Sequence, residues 1–374
     1  SFRGAGAAGV GSGDPPAAWN LESGEHVLWQ TEIPGLGNSS PVVWGDRVFV
    51  TTAVAASGDR EIKTGLTGDV SSSADDSEHT WLVLALDKRT GEVLWRREAG
   101  KAVPETGRHF KSTQANSTPA TDGERVAAVF PTVGLVVYDL EGKLLWQKDL
   151  GALDAGWFYD ESFEWGYGSS PILHDGKVIL QVDTQDDSFI AAWDAATGKE
   201  LWRTERGELP TWSTPMIAQG PKGPELVTNG PTARGYDPAT GKELWRLGPS
   251  SELVIATPVA ADGVVYLSAG YPPVRPIYAL RLGGRGDLSL PEGETESEHV
   301  VWSHGHGGAY MPSPILVDGL YYLGHHNARL FVYDAATGEV VYRARFSKGG
   351  TFTGSPVYAA GKLYFTTEEG LYAL

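Results

Sequence analysis

The sequence predicts an all-β fold, a β-propeller of seven four-stranded blades. Three observations lead there. The stretch Asp194-Ala195-Ala196-Thr197-Gly198-Lys199-Glu200-Leu201-Trp202 returns, more or less worn, at Asp87 to Trp95, Asp139 to Trp146, Asp237 to Trp245 and Asp334 to Tyr342. A second marker, Ser or Thr followed by Pro, occurs seven times at matching places. The composition, with 48 Gly and 13 Trp in 374 residues, is that of many tight turns and one large ring per unit. Repeats of this length are the signature of propellers and solenoids.

Each element of the unit has a local reason. Strand A opens at Ser39-Ser40-Pro41, Ser117-Thr118-Pro119, Ser169-Ser170-Pro171, Ser213-Thr214-Pro215, Ala256-Thr257-Pro258, Pro312-Ser313-Pro314 and Gly354-Ser355-Pro356. Proline suits the first residue of a strand, where its missing N–H breaks no ladder bond. Strand A ends at a hairpin cue: Gly45-Asp46, Asp122-Gly123, Asp175-Gly176, Asp262-Gly263, Asp318-Gly319 or Ala360-Gly361. The fourth copy has Gln219 to Pro224 instead. Strand B, a variable loop and strand C follow. The Asp-x-x-Thr-Gly turn then leads to strand D, which ends in the aromatic. Glycine accepts the positive φ of that turn, and the Asp side chain can cap the turn's own amides.

The closing rings are Trp29, Trp95, Trp146, Trp202, Trp245, Trp302 and Tyr342. Trp29 precedes the first Ser-Ser-Pro, and the chain ends on a strand-C-like Leu371-Tyr372-Ala373-Leu374. The two ends are therefore expected to share one blade, residues 27–29 serving as its strand D. Eight blades is the alternative count. Residues 1–17 form a Gly/Ala-rich segment, and 18–374 a single propeller domain. Blade 1 carries a long B–C insertion at about 53–80. Blade 5 replaces its C–D turn with Arg281 to Asp287 and an acidic stretch.

Bulk properties narrow the function classes. The net charge of −17 disfavours nucleic acid and anionic membranes as partners. With no Cys, disulfides, zinc-thiolate sites and Cys nucleophiles are excluded. No apolar run is long enough for a membrane span. The chain starts at Ser1 rather than Met, which is compatible with an export signal removed or left off, and a periplasmic or secreted protein is the expectation. A monomer is expected.

The pairing of a Ser/Thr-Pro strand start with D-x-x-T-G-K-E-L-W resembles the pyrroloquinoline quinone-type (PQQ-like) propeller repeat, over about Trp19 to Leu374. That repeat occurs in quinoprotein alcohol dehydrogenases and in the outer-membrane assembly lipoprotein of the BAM complex. Phe2-Arg3-Gly4, Gly168 to Leu173 and Gln181-Val182-Asp183 resemble an uncharacterised exported bacterial branch. The resemblance implies a propeller in the periplasm or outside the cell. It implies activity less strongly, because folds host many functions. Quinone dehydrogenases usually have eight blades, often a vicinal Cys pair, and Glu, Asn and Asp around calcium. This chain has no Cys and no matching calcium set, which argues against PQQ as a cofactor.

In a propeller, the D-to-A connections and B–C loops share one rim. Binding sites concentrate on such loops. Here that rim is expected to carry Arg108, His109, Lys111, Gln114 and Asn116. It also carries Trp157 to Tyr167, Trp212, His304, His306, Tyr310, His325 and His326. Imidazoles that converge can bind a divalent metal, so His304, His306, His325 and His326 form a candidate metal set. Trp165, Tyr167 and Trp212, with Asp160 and Glu161 as acceptors, suit a stacking platform for a sugar or a quinone. Arg108, Gln114 and Asn116 complete the candidate ligand-binding residues. Asp183, Asp186 and Asp187 are a weaker calcium candidate.

Three readings follow. The first is an exported ligand-binding or protein-scaffold module, with a small molecule, a carbohydrate or a protein partner at the channel mouth. The second is a polysaccharide (uronate) lyase, with Lys111 or Arg108 neutralising the carboxylate, His109 or His306 as base and Tyr310 as acid. The third is a quinone-dependent dehydrogenase.

Overall fold

The structure is a computed structural model describing residues 1–58, 62, 72, 73, 75–160, 162–346, 351–368 and 371–373. Among these residues regular structure is almost entirely β, with one short 3-10 turn at Ala5–Ala7. Seven antiparallel sheets follow one another along the chain. The first holds Val42–Trp44, Arg47–Ala55, His79–Asp87 and Val93–Ala102 in chain order. The second, third, fifth and sixth repeat that A-B-C-D order, and so does the fourth before its extra strand. The last shows Val357–Ala359, Lys362–Thr366 and Leu371–Ala373. Residues 27–29 carry no strand, so the closing strand D expected there is not seen among the described residues. The chain divides into two compact units, 18–210 with 1–2 and 211–374 with 3–17. The N-terminal segment belongs to the second unit. Val10 bridges Tyr358 there, and Tyr364 donates its hydroxyl to the Pro15 carbonyl.

The turn chemistry is as the repeat requires. Asp194 Oδ1 accepts from the amides of Ala196 and Thr197 and from the Thr197 hydroxyl. Gly198 sits at φ 70. It has a second duty, because a Cβ there would collide with the Trp146 ring of the preceding sheet. Trp146 donates Nε1–H to the Ala195 carbonyl of that same turn at 2.9 Å. Trp29 does the same to Lys88, Trp95 to Leu140 and Trp302 to Ala335, at 2.8 Å each. The strand-D ring therefore caps the turn of the following sheet and excludes water from it.

A register shift directs these rings. In six sheets the ladder skips one residue just before the aromatic: Leu94, Leu145, Leu201, Leu244, Val301 and Val341. A β-bulge of this kind bends the strand and re-aims the next side chain. It leaves Leu94, Leu145 and Leu201 exposed and turns Trp95, Trp146 and Trp202 inward, whereas after Val341 the expected closing ring Tyr342 stays 45% exposed.

The Ser/Thr-Pro marker has a role beyond starting strands. Its hydroxyl accepts the backbone N–H of the equivalent residue in the preceding sheet. In the first unit Ser40 donates to Thr118, and Thr118 to Ser170. In the second, Thr214 donates to Thr257, Thr257 to Ser313, and Ser313 to Ser355. Distances run from 2.9 to 3.2 Å. These amides lie outside the ladders and are largely buried, so each would otherwise be an unsatisfied donor.

The missing turn of the fifth sheet has a compensating arrangement. Gly286–Asp287 adds a parallel fifth strand to the fourth sheet, beside Trp245 and Arg246. With no Asp-x-x-Thr-Gly carbonyl to meet, Trp245 donates instead to the buried Glu225 carboxylate at 2.7 Å. Glu225 also accepts from the Gly283 amide and from Arg285.

Two outcomes are expected in chemical denaturation. Trp146→Ala removes a buried ring and its hydrogen bond and should cost ~3–5 kcal/mol. Thr118→Val strands the Ser40 amide and should cost ~1–3 kcal/mol. Midpoints unchanged in both variants would contradict these roles.

Candidate functional site

In the first unit, Arg108–His109 pairs with Ser72–Ser73 as a small two-stranded arm. Below it lies a cavity of about 230 Å³, lined by Gly35, Leu36, Ala53, Val54, Ala55, His79, Arg108 and Gln114. Its wall is close-packed because Gly35, at φ 79, lets the chain lie directly on the Ala53 carbonyl. Leu36 and Ala53 exchange backbone hydrogen bonds there. The polar end is built on buried Asp75. Arg108 Nε donates to its Oδ2 at 2.9 Å and Gln114 Nε2 at 3.2 Å, while His79 Nε2 stands 3.9 Å away. Arg108 NH1 also holds the Ser112 carbonyl, and Gln114 Nε2 that of Thr106. Arg108 and Gln114 thus form one cluster. His79 and Asp75, neither of them a candidate from sequence, complete it.

The other expected residues of this unit serve mainly the chain itself. Asn116 donates to the Ser112 hydroxyl and the Tyr167 carbonyl and accepts from the Thr113 amide. Tyr167 is fully buried and donates to the Gln181 carbonyl at 2.6 Å. Burial holds its phenol far above the usual range. His109 Nδ1 accepts the Lys111 amide, a local turn contact. Asp160 accepts from the Ser162 amide and hydroxyl. Glu161 lies outside the described residues. Trp165 stacks on Trp157 at 6.5 Å, and Trp157 also meets Tyr159 and Phe163. This aromatic loop is tied to the arm by the Gly107 amide, which donates to Glu164. Asp183, the calcium candidate, is fully buried against Arg206, with Ser188 and Gln181 also donating to it.

In the second unit the four histidines separate. His304 follows Trp302 on the same strand face, so it turns inward. Its Nε2 donates to the Gly338 carbonyl at 2.8 Å, and its ring lies against Trp302 and Tyr333. His306 is exposed. His325 packs on Phe331, and His326 meets the Tyr310 ring edge-on at 6.3 Å, with Tyr271 on the far side of Tyr310. Burial pushes His325 down to about 4, helped by His326, Arg275 and Arg329. Burial and Arg275 lower His326 as well. Burial raises Tyr310 to about 12. Among the described residues no three His, Asp or Glu side chains converge as metal ligands. Trp212 belongs to this unit, half-buried, with its amide on the Val254 carbonyl.

The repeated sheets, the turn-capping rings and the rim clusters define the class of an all-β propeller with PQQ-like repeats. The sequence profile described as "Outer membrane protein assembly factor BamB" matches residues 10–157, 186–280 and 289–374, well over half of the chain. The chain belongs to this family. Its structure is similar to BamB from Moraxella catarrhalis, with TM-score 0.57, 16% identity, and coverage of 93% of this chain and 97% of that one. It is also similar to the quinohemoprotein alcohol dehydrogenase of Comamonas testosteroni, with TM-score 0.54, 15% identity and coverage of 89% and 70%. At these identities the likeness shows the fold. A Pseudomonas polyvinylalcohol dehydrogenase is 26% identical over 195 residues. The match takes in 48% of this chain, and only 24% of the length of that relative. Among the described residues no helix is long and apolar enough to cross a membrane.

A quinone with its calcium ion needs carboxylate oxygens turned toward a divalent cation. The buried carboxylates described above are each already countered by an arginine: Asp75 by Arg108, Asp183 by Arg206 and Glu225 by Arg285. Those residues do not fit the group.

The lowered His325 gives a pH test. Its unfolded value of 6.5 lies above its folded value of about 4, so the unfolded state binds more protons between them. Stability should fall as pH drops through that window, by up to ~3 kcal/mol from this one group. Denaturation midpoints at pH 7 and pH 4.5 should differ less in His325→Asn than in wild type.

Proposed function

We propose that the chain is an exported propeller acting as a binding and scaffold module. It holds a small molecule, a carbohydrate or a protein partner on rim loops carried by a seven-bladed ring. One observation carries this reading: several polar groups of the rim are engaged with one another and with the chain's own backbone. Arg108, His304 and Asn116 are positioned by such contacts. A rim of this kind is a preorganised surface more than a set of poised acids and bases. The family's namesake, an assembly factor, is consistent with a protein partner.

A uronate lyase is the second reading, favoured by the edge contact of His326 with Tyr310 beside Arg275. There Arg275 would neutralise the substrate carboxylate, neutral His326 would be the base and Tyr310 the acid. The residues first assigned to that task fall in different units: Arg108, His109 and Lys111 in the first, His306 and Tyr310 in the second.

Purified protein is expected to give no rise at 232 nm with uronate polymers. It should also reduce no dye when supplied with pyrroloquinoline quinone, calcium and primary alcohols, while a ligand library raises its melting temperature. Absorbance at 232 nm that vanishes in Tyr310→Phe would replace the module with the lyase. Dye reduction would replace it with a dehydrogenase.

A further inference from the structure

The cavity of the first unit has an acceptor that the fold leaves unused. Gln114 is 2% exposed. Its Nε2 is fixed between two acceptors, Asp75 Oδ2 and the Thr106 carbonyl. Flipping the amide would set its oxygen against both, so the orientation is determined by the network. That leaves Oε1 buried with no hydrogen-bond partner. A buried acceptor left unpaired costs free energy comparable to a lost hydrogen bond. His79, 5% exposed, lines the same cavity with its Nδ1 2.8 Å from the Ser77 carbonyl.

The rest of the cavity fixes the kind of ligand. Asp75 and Arg108 cancel, so the polar end carries no net charge. A carboxylate or phosphate would face the unpaired Gln114 oxygen. The opposite wall, Leu36, Ala53, Val54 and Ala55, is apolar. The volume of 230 Å³ equals about seven or eight water molecules and lies below the ~300 Å³ lower limit of drug-sized sites. The occupant is therefore small and neutral, with a hydroxyl donor and one apolar face. A pyranose, apolar on one face and edged with hydroxyls, has this chemistry.

We propose that this cavity binds a neutral monosaccharide unit, a hydroxyl donating to Gln114 Oε1 and its ring face lying on Leu36 and Val54. This rests on the binding-module reading and names its ligand class. Titration calorimetry with glucose, galactose, mannose and galacturonate on the full chain tests it. At least one neutral sugar should bind, and galacturonate at least tenfold more weakly. Ala55→Phe fills the cavity without touching a polar group, and Gln114→Leu removes the free acceptor. Each should weaken binding at least tenfold while the far-UV circular dichroism spectrum stays that of wild type. Should Gln114→Leu fail to fold, Ala55→Phe alone decides. No binding of any neutral sugar at 20 mM, equal binding of galacturonate, or full binding by Ala55→Phe overturns the proposal. Such a failure without dye reduction or a signal at 232 nm removes the saccharide and leaves the module reading standing.

Discussion

Within each unit, consecutive sheets are joined by one recurring bond, from the backbone N–H of a Ser or Thr to the hydroxyl of its counterpart one sheet on. Each such amide sits outside any ladder, where burial without a partner would be costly. The proline that follows is compatible with this, because it starts strand A without needing to donate. Trp29, Trp95, Trp146 and Trp302 each close over the next C–D turn. The pair of contacts explains why both markers persist while the intervening sequence drifts. Where one partner is lost, another group takes its place, as Glu225 does for Trp245.

This division of labour frees the rim loops. The joints use residues at strand starts and at C–D turns, so the B–C insertion and the D-to-A connections carry little of that load. They can build an arm, a cavity and an aromatic loop in the first unit, and a Tyr–His–Arg cluster in the second. Their charged groups are then fixed by short-range pairing, Asp75 with Arg108 being the clearest case. A surface stiffened in this way loses little entropy on binding.

Much of the fold was legible in sequence because its signals are local. The turn needs Asp, Thr and Gly within a few residues, and the ring follows at fixed spacing. The bulge before each ring was not legible, since Leu201 looks like any other strand residue until the register with Ala192 and Trp193 is known. The hydroxyl belt was visible as a recurrence, but its reason joins residues some fifty positions apart, as Thr118 and Ser170 show. The site was legible in part. His304 could have been set aside by alternation, because it shares a strand face with Trp302. Arg108 and Gln114 were found by their loop. Asp75, which organises both, sits in an insertion with no periodic pattern and could not be singled out.

Native-state hydrogen exchange at the amides of Ser40, Thr118, Thr257 and Ser313 tests the joint most directly. If the hydroxyl belt holds the sheets together, these four amides exchange only through global unfolding, at rates matching the central strands. Exchange as fast as that of exposed turn amides such as Arg89 would contradict it.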